Sequence, residues 1–341
     1  MTTPPASTPA GTPTALVVAE PEPAPRRRRT ARTSVVVSWV MPAATVLLMA
    51  YFSVATSNFL TFDNLAAVLT QNAAVFIVAA AAAMLLMAGY ADLSVGSMMA
   101  LAGVSAGLAF THHGVVAGLV VGLLVGLAVG TLNGVLIGVL EMSPIVVTLG
   151  GLAAWRALAQ YLAPDSVFGF PDAVGDFAIG RFLGLTWIAW IAIVVCVVAV
   201  AVMALLPLGR HIQAIGVNAR AAFLVGIRVK GTILALYAVV GLAVGLAALL
   251  QVARLDSAPS GTLGVGFEVT VLTAVLLGGI PFTGGRGSMW RVLVGVWLIA
   301  VLKNGLTLLN YGPEVAGMVT GAVLVVAAAL EAVAVAARRR G

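Results

Sequence analysis

Residues able to do covalent or metal chemistry are scarce in this chain. Its one cysteine, Cys196, lies in the apolar run WIAWIAIVVCVVAVAVMALL, where the expected role is helix packing. The three histidines include the adjacent pair His112 and His113 but show no metal-ligand spacing. Lys230 and Lys303 are the only lysines, and neither follows a glycine. A Gly-Lys-Ser/Thr phosphate loop is therefore absent, and so are HExxH and GxSxG. Asp63, Asp92, Glu141, Asp165, Asp172, Asp176, Asp256, Glu268 and Glu314 fall between apolar runs or at their ends, and Glu331 lies near the end of the last run. Ion-coupled carriers place such acids inside the membrane, so the pattern argues against proton coupling. What remains is hydrogen bonding. Gln71, Asn72, Asn133, Asn304 and Asn310 sit inside or near the ends of apolar runs. They suit a neutral polyhydroxylated solute, and bonds between helices explain them equally well. Arg156 stands near the middle of a run, where insertion costs about 2.5–3.5 kcal/mol. It either lines a polar pathway or snorkels outward from a shorter helix.

The elements that must position these groups follow from composition. Of 341 residues, 61% are apolar and 9% charged. Soluble domains carry about 45–50% and about 25%. A soluble enzyme, a disordered chain and a nucleic-acid-binding domain are excluded, because so few charges cannot cover a soluble surface. At about 20 residues per crossing the apolar content supplies about ten spans. The expected fold is an all-α polytopic membrane protein. The expected spans are 35–56, 65–89, 96–111, 115–140, 143–162, 184–206, 231–252, 267–282, 288–309 and 314–336. The third and eighth are short. If both were re-entrant, eight spans would remain.

Charge placement supports ten crossings with both ends cytoplasmic. Threading from an inside N-terminus puts Arg26–Arg29, Arg32, Arg210, Arg220, Arg228, Lys230, Arg286, Arg291 and Arg338–Arg340 on the cytoplasmic side. Only Arg156, Arg181, Arg254 and Lys303 fall elsewhere, the bias that cytoplasmic loops carry. Residues 1–34 read as a disordered cytoplasmic tail, rich in Pro, Thr and Ala and without the apolar core of a signal peptide. The membrane domain is expected over 35–336, with its largest cytoplasmic loop at 207–230, and a basic tail over 337–341.

Four segments have local chemistry of their own. Gly118, Gly122, Gly126 and Gly130 form a ridge at i, i+4 spacing that suits close helix packing. In AGYADLSVGSMMALAGVSAG, Asp92 or Ser94 can cap the following helix, and a capped turn accounts for the segment. In GRHIQAIGVNARAAFLVGIRVKG, Asn218 can cap a short helix over Ala219–Val225 that Gly226 closes. That helix, with Ala222, Phe223 and Leu224 as its apolar edge, either docks into a partner or lies on the membrane surface as a connector. In LLGGIPFTGGRGSMW, Gly278, Gly279, Gly284, Gly285 and Gly287 with Pro281 cannot continue a helix. The segment is a moving gate or a tight turn.

In this order the segments resemble the ribose/xylose/galactose-type sugar permeases of bacterial ABC importers. The resemblance covers about 35–336. It rests on Asp92, Leu93, Ser94, Val95, Gly96 and Ser97 in ADLSVGS, on GRHIQAIGVNARAAFLVGI, and on LLGGIPFTGGRGS followed by KNGLTLL. SPIVVTLGGLAAWRALA is a looser match. Tyr90-Ala91 depart from the usual Gly-Ile, and Lys303 stands where an uncharged residue or an acid is commoner.

The resemblance implies a permease subunit in the cytoplasmic membrane that passes a monosaccharide by alternating access and is not itself an enzyme. It implies a second permease subunit, ABC ATPase subunits at the cytoplasmic side and an extracellular or periplasmic sugar-binding protein. No cofactor and no nucleic acid is expected, and lipid surrounds the chain. The 209–227 loop would carry the coupling helix, with Asn218, Arg220, Ala221, Ala222, Phe223, Gly226 and Ile227 facing the ATPase. Related permeases move branched-chain amino acids or nucleosides. An ion-coupled secondary carrier is the reading from another class.

Overall fold

The computed structural model describes residues 28–325, with side chains from residue 41 onward. The far N-terminal tail, Arg26, Arg27, Glu331, Arg338–Arg340 and the end of the tenth expected span lie outside them. By contacts the chain divides into Met1–Trp39, of which residues 28–39 are helical, and Val40–Gly341, which holds the helical bundle.

Apolar runs become helices almost without exception. They are α1 (Arg28–Ala55), α2 (Phe62–Gln71), α3 (Ala73–Met87), α4 (Val95–Gly134), α5 (Pro144–Leu162), α6 (Asp172–Ile179), α7 (Trp187–Leu205), α8 (Pro207–Val217), α9 (Ala219–Leu224), α10 (Val229–Leu255), α11 (Phe267–Leu277) and α12 (Met289–Leu308). A last described helix covers Pro313–Val325. A two-stranded hairpin, β1 (Arg181–Phe182) and β2 (Leu185–Thr186), precedes α7. Five helices are long and apolar enough to cross a membrane: Val95–Val139, Pro144–Leu162, Trp187–Leu205, Val229–Leu255 and Met289–Leu308. The pair α2–α3, bent by 52°, makes a sixth candidate. Met41–Ala55, Phe267–Leu277 and Pro313–Val325 are shorter apolar helices.

Several edges differ from expectation. Helix α1 begins at Arg28 rather than 35, because Arg, Thr and Ala can extend a helix past the apolar run that marks the span. The span expected over 267–282 ends at Leu277, where Gly278, Gly279 and Pro281 stop it. Helix α4 is a helical hairpin. At its centre Gly114 has φ 82° and ψ −178°, outside helical space. Gly118 then lies against Phe110, and Gly122 against Ala106, so residues equidistant from Gly114 meet. In one straight helix Ala106 and Gly122 would be about 24 Å apart. A five-residue π-helical segment, Val135–Val139, ends the second arm.

The core forms around α3 and the second arm of α4. Every residue of α3 is buried. The Gly122–Gly126–Gly130 ridge faces α10: a Cβ at Gly126 would meet the Gly241 carbonyl and Gly245, and one at Gly130 would meet Tyr237 and Gly241. Close backbone approach of this kind drives association where lipid removes the hydrophobic incentive. Outward faces carry Leu47, Val54, Val116, Ile145, Val146 and Val197, all exposed and apolar, as a lipid-facing surface requires.

Candidate functional site

The segment between α3 and α4 is buried rather than looped into solvent. Asp92 is 5% exposed. Its Oδ1 accepts from the Ser94 backbone N–H at 2.8 Å and from the Ser94 hydroxyl at 2.6 Å. Asn133 Nδ2 donates to Asp92 Oδ2 and to Ser94 Oγ, both at 3.1 Å. Neither capping candidate bonds an N–H of the first turn of α4: Ser94 occupies the N-cap position without a side-chain cap bond, and Asp92 bonds the N–H of Ser94 itself. The Tyr237 hydroxyl of α10 donates to the Ala91 carbonyl at 3.0 Å. Ser97 Oγ donates to Ser94 O at 2.9 Å and to Gly151 O of α5 at 3.4 Å. The ADLSVGS segment thus ties α4 to α10 and α5. The sequence placed Asp92 correctly between two helices; its burial depends on partners 41 and 146 positions from Asp92 and Ala91, respectively.

Arg156 lies on α5 and is half-buried. Its Nη1 donates to the carbonyls of Ser260 at 3.2 Å and Leu263 at 2.6 Å, and its Nη2 to that of Gly96 at 3.4 Å. It does not snorkel, because backbone carbonyls within the bundle engage it.

The remaining pathway candidates are dispersed. Asn72 marks the bend between α2 and α3 and donates to Val68 O at 2.8 Å, with Gln71 exposed beside it. Asn304 of α12 pairs with Asn64 of α2. Lys303 donates to Thr270 Oγ1 at 3.3 Å, joining α12 to α11. The structure does not gather these side chains into one polar pocket. Cys196 is buried beside an apolar groove of about 540 Å³ lined by Leu69, Phe76, Val200 and Leu293.

The segment after α7, expected as a loop with one short helix, opens instead with the 11-residue helix α8, and from Asn218 it folds as its residues suggest. Asn218 Oδ1 accepts from the Ala221 N–H at 3.0 Å, starting α9. The helix ends at Leu224, with Val225 as its C-cap and Gly226 next at φ 88°. Gly226 N–H donates to Phe223 O at 3.0 Å and Ile227 N–H to Ala222 O at 3.1 Å. Those two bonds are the Schellman closure. Ala222 is buried, whereas Phe223 is 67% exposed and Leu224 and Val225 each 77%. A pocket of about 460 Å³ beside α9 is lined by Arg220, Phe223, Arg228, Lys230 and Glu141. Lys230 Nζ pairs with Glu141 Oε1 at 2.7 Å.

The Gly-rich turn between α11 and α12 lies at this same end. Gly285 N–H donates to the Met87 carbonyl that ends α3, at 2.8 Å. Gly216 of α8 fits against Met87 O and Gly285, and Gly284 against Gly89. Gly279, Gly284 and Gly285 all have positive φ. Gly278 fits against Val292 and Gly287 against Ile280. Helix α8, which leads directly into α9, therefore touches both the central helix and the Gly-rich turn.

Comparison with known proteins decides the family. Residues 64–328 match the family described as branched-chain amino acid transport system / permease component. The chain belongs to this permease family. Relatives of the permease include the D-allose transport system permease protein AlsC of Escherichia coli K12, 30% identical over 84% of this chain and 88% of that protein. The ribose import permease protein RbsC of Bacillus subtilis 168 is 32% identical over 84% and 89%. The L-arabinose ABC transporter permease protein AraH of Azospirillum brasilense is 30% identical over 83% and 84%. No solved structure matches the permease.

Proposed function

We propose that the permease is the membrane pathway of an ABC importer that carries a monosaccharide across the cytoplasmic membrane. The observation that carries this reading is the similarity to permeases for allose, ribose and arabinose over more than four fifths of the chain. Two permease subunits enclose the route. ATPase subunits bind at the end formed by α8, α9 and the Gly-rich turn, and a sugar-binding protein delivers the solute at the opposite end. The exposed apolar edge of α9, rigidly capped at both ends, supports a role as the coupling helix. Its neighbours Arg210, Arg220, Arg228 and Lys230 support a cytoplasmic position.

Ten crossings with both termini inside fit this reading. The α4 hairpin supplies two, the bent α2–α3 pair one, and the stretch from Ser257 to Leu277 another, half of it unwound. With α1, α5, α7, α10, α12 and the helix from Pro313, the count is complete.

The family's description makes branched-chain amino acids the second reading. Proteoliposomes holding the permease, its ATPase and its binding protein test both. ATP-dependent uptake of a labelled pentose or hexose supports the first. Uptake of leucine but no sugar supports the second, and uptake driven by a proton gradient without ATPase subunits overturns both.

A further inference from the structure

We infer that Arg156 is a positioning residue of the pathway. Its guanidinium clamps the unwound stretch Ser257–Gly266 against the first turns of α4, and that stretch forms a wall of the solute route. The inference rests on the permease reading above.

The stretch has no regular helix between the end of α10 at Leu255 and the start of α11 at Phe267. One side of it nevertheless packs within the bundle, while Gly261, Thr262, Val265 and Gly266 are exposed. Ala258 and Leu263 are buried, and Ser260 is 2% exposed. It descends along the first arm of α4, with Ala258 against Gly107, Leu263 against Gly103 and Gly264 against Gly96. From Gly107 to Gly96 the helix falls by about 16 Å, half a bilayer core. The glycines allow that descent: Gly96 and Gly264 are in backbone contact, and neither has room for a Cβ.

Non-helical backbone at such depth persists only where it is enclosed by protein or lines water. Its free carbonyls need donors. Arg156 supplies three bonds from a planar fork, two to the unwound stretch and one to α4. A single side chain on α5 thus fixes both partners of the Gly96–Gly264 contact. The stretch then leads into α11 through Gly266, which has no side-chain cap to offer. Glu268 stands in the first turn of α11, beside Gly96, so the end of the stretch carries a charge of opposite sign to Arg156. Because Arg156 is only half-buried, the clamp borders accessible space rather than sealed core.

The test uses the full importer in proteoliposomes, with Cys196→Ser as background and Ser260→Cys as reporter. Arg156→Gln and Arg156→Lys are compared with the unsubstituted Arg156. With the clamp gone, a water-soluble maleimide reaches the thiol at position 260 several-fold faster. Sugar uptake falls by about tenfold or more, the factor that loss of one charged hydrogen bond is worth. ATP hydrolysis continues, so more ATP is spent per solute. Arg156→Lys, able to reach only part of the carbonyl set, falls between. Unchanged labelling in both variants overturns the inference, as does faster labelling with normal uptake. If Arg156→Gln does not assemble, Arg156→Lys decides on the same two readouts. Absence of sugar uptake with Arg156 intact would instead sink the permease reading.

Discussion

Asn64 of α2 and Asn304 of α12 exchange two amide hydrogen bonds, each of 3.0 Å. Asn64 also donates to Phe59 O at 2.8 Å. This reciprocal pair joins helices 240 positions apart in the chain. Asn304→Ala leaves one half-buried amide without its partner and is expected to cost about 1–2 kcal/mol. Asn64→Leu combined with Asn304→Leu is expected to cost less than the sum of the single changes. Thermal unfolding of the purified protein in a double-mutant cycle measures the coupling.

The buried carboxylate of Asp92 depends on Asn133 for the donor to its Oδ2. Asn133→Ala strands that oxygen and is expected to destabilise the protein by about 1–3 kcal/mol. The exchange Asp92→Asn with Asn133→Asp keeps one acid and one amide in contact and is expected to recover part of the loss. Recovery of folded protein in the membrane, scored against each single variant, is the readout.

Helix α9 offers a test of the proposed coupling role. Asn218→Ala removes the N-cap and is expected to weaken the local helix by about 1 kcal/mol. Phe223→Asp alters an exposed residue that supports little of the fold. It is expected to leave membrane levels unchanged and to abolish uptake in the reconstituted importer. Normal uptake by this variant would remove α9 from the coupling path.

The Lys230–Glu141 pair defines a pH response. The hydrogen bond from Lys230, and then its charge, hold the Glu141 carboxyl below its ordinary value of 4.5. A depressed carboxylate stabilises the fold above the unfolded value and loses that contribution as pH falls through the folded one. Glu141→Gln is therefore expected to differ from the parent protein to the same small extent between neutral pH and about 4.5, a difference that vanishes on further acidification. Melting curves of the two proteins from neutral to acid pH test the window.

The Gly126–Gly241 contact gives a packing prediction. Gly126→Val places a branched side chain against the α10 backbone. Overpacking of this kind costs about 1–3 kcal/mol or more. Trypsin resistance and yield are expected to fall, whereas Gly150→Ala, which meets nothing nearby, leaves both unchanged.

Features written within a few residues were legible in advance. Asn218 and Gly226 announce the ends of α9 because capping is local. The ridge from Gly122 to Gly130 announces close packing, and the break between the third and fourth expected spans falls at Gly114. The wiring between distant segments was not legible. Neither expectation for Arg156 included carbonyls at 260 and 263, since a donor's partner over one hundred positions away leaves no periodic trace. The unwound stretch looked like an ordinary loop for a similar reason. Composition marks it as non-helical, but only the neighbouring α4 glycines reveal its depth. Asn133 and Asn304 were visible as polar residues, whereas Asn64, the partner of Asn304, was not singled out. Whether they face a solute or one another is decided by helix rotation, which residue types alone do not encode.

The enclosure of α3 has a consequence for how the protein is made. Helices α7, α8, α10, α11 and α12 all pack on α3, and all are translated after it. When α3 leaves the ribosome, most of its eventual neighbours do not exist. Its alanine-rich surface must wait in lipid, as the second half of the bent α2–α3 pair, until the C-terminal half arrives to surround it. Truncation after α6 is therefore expected to leave α3 without these neighbours and open to membrane proteases. Completion of the last helices is the step that commits the permease to its folded form.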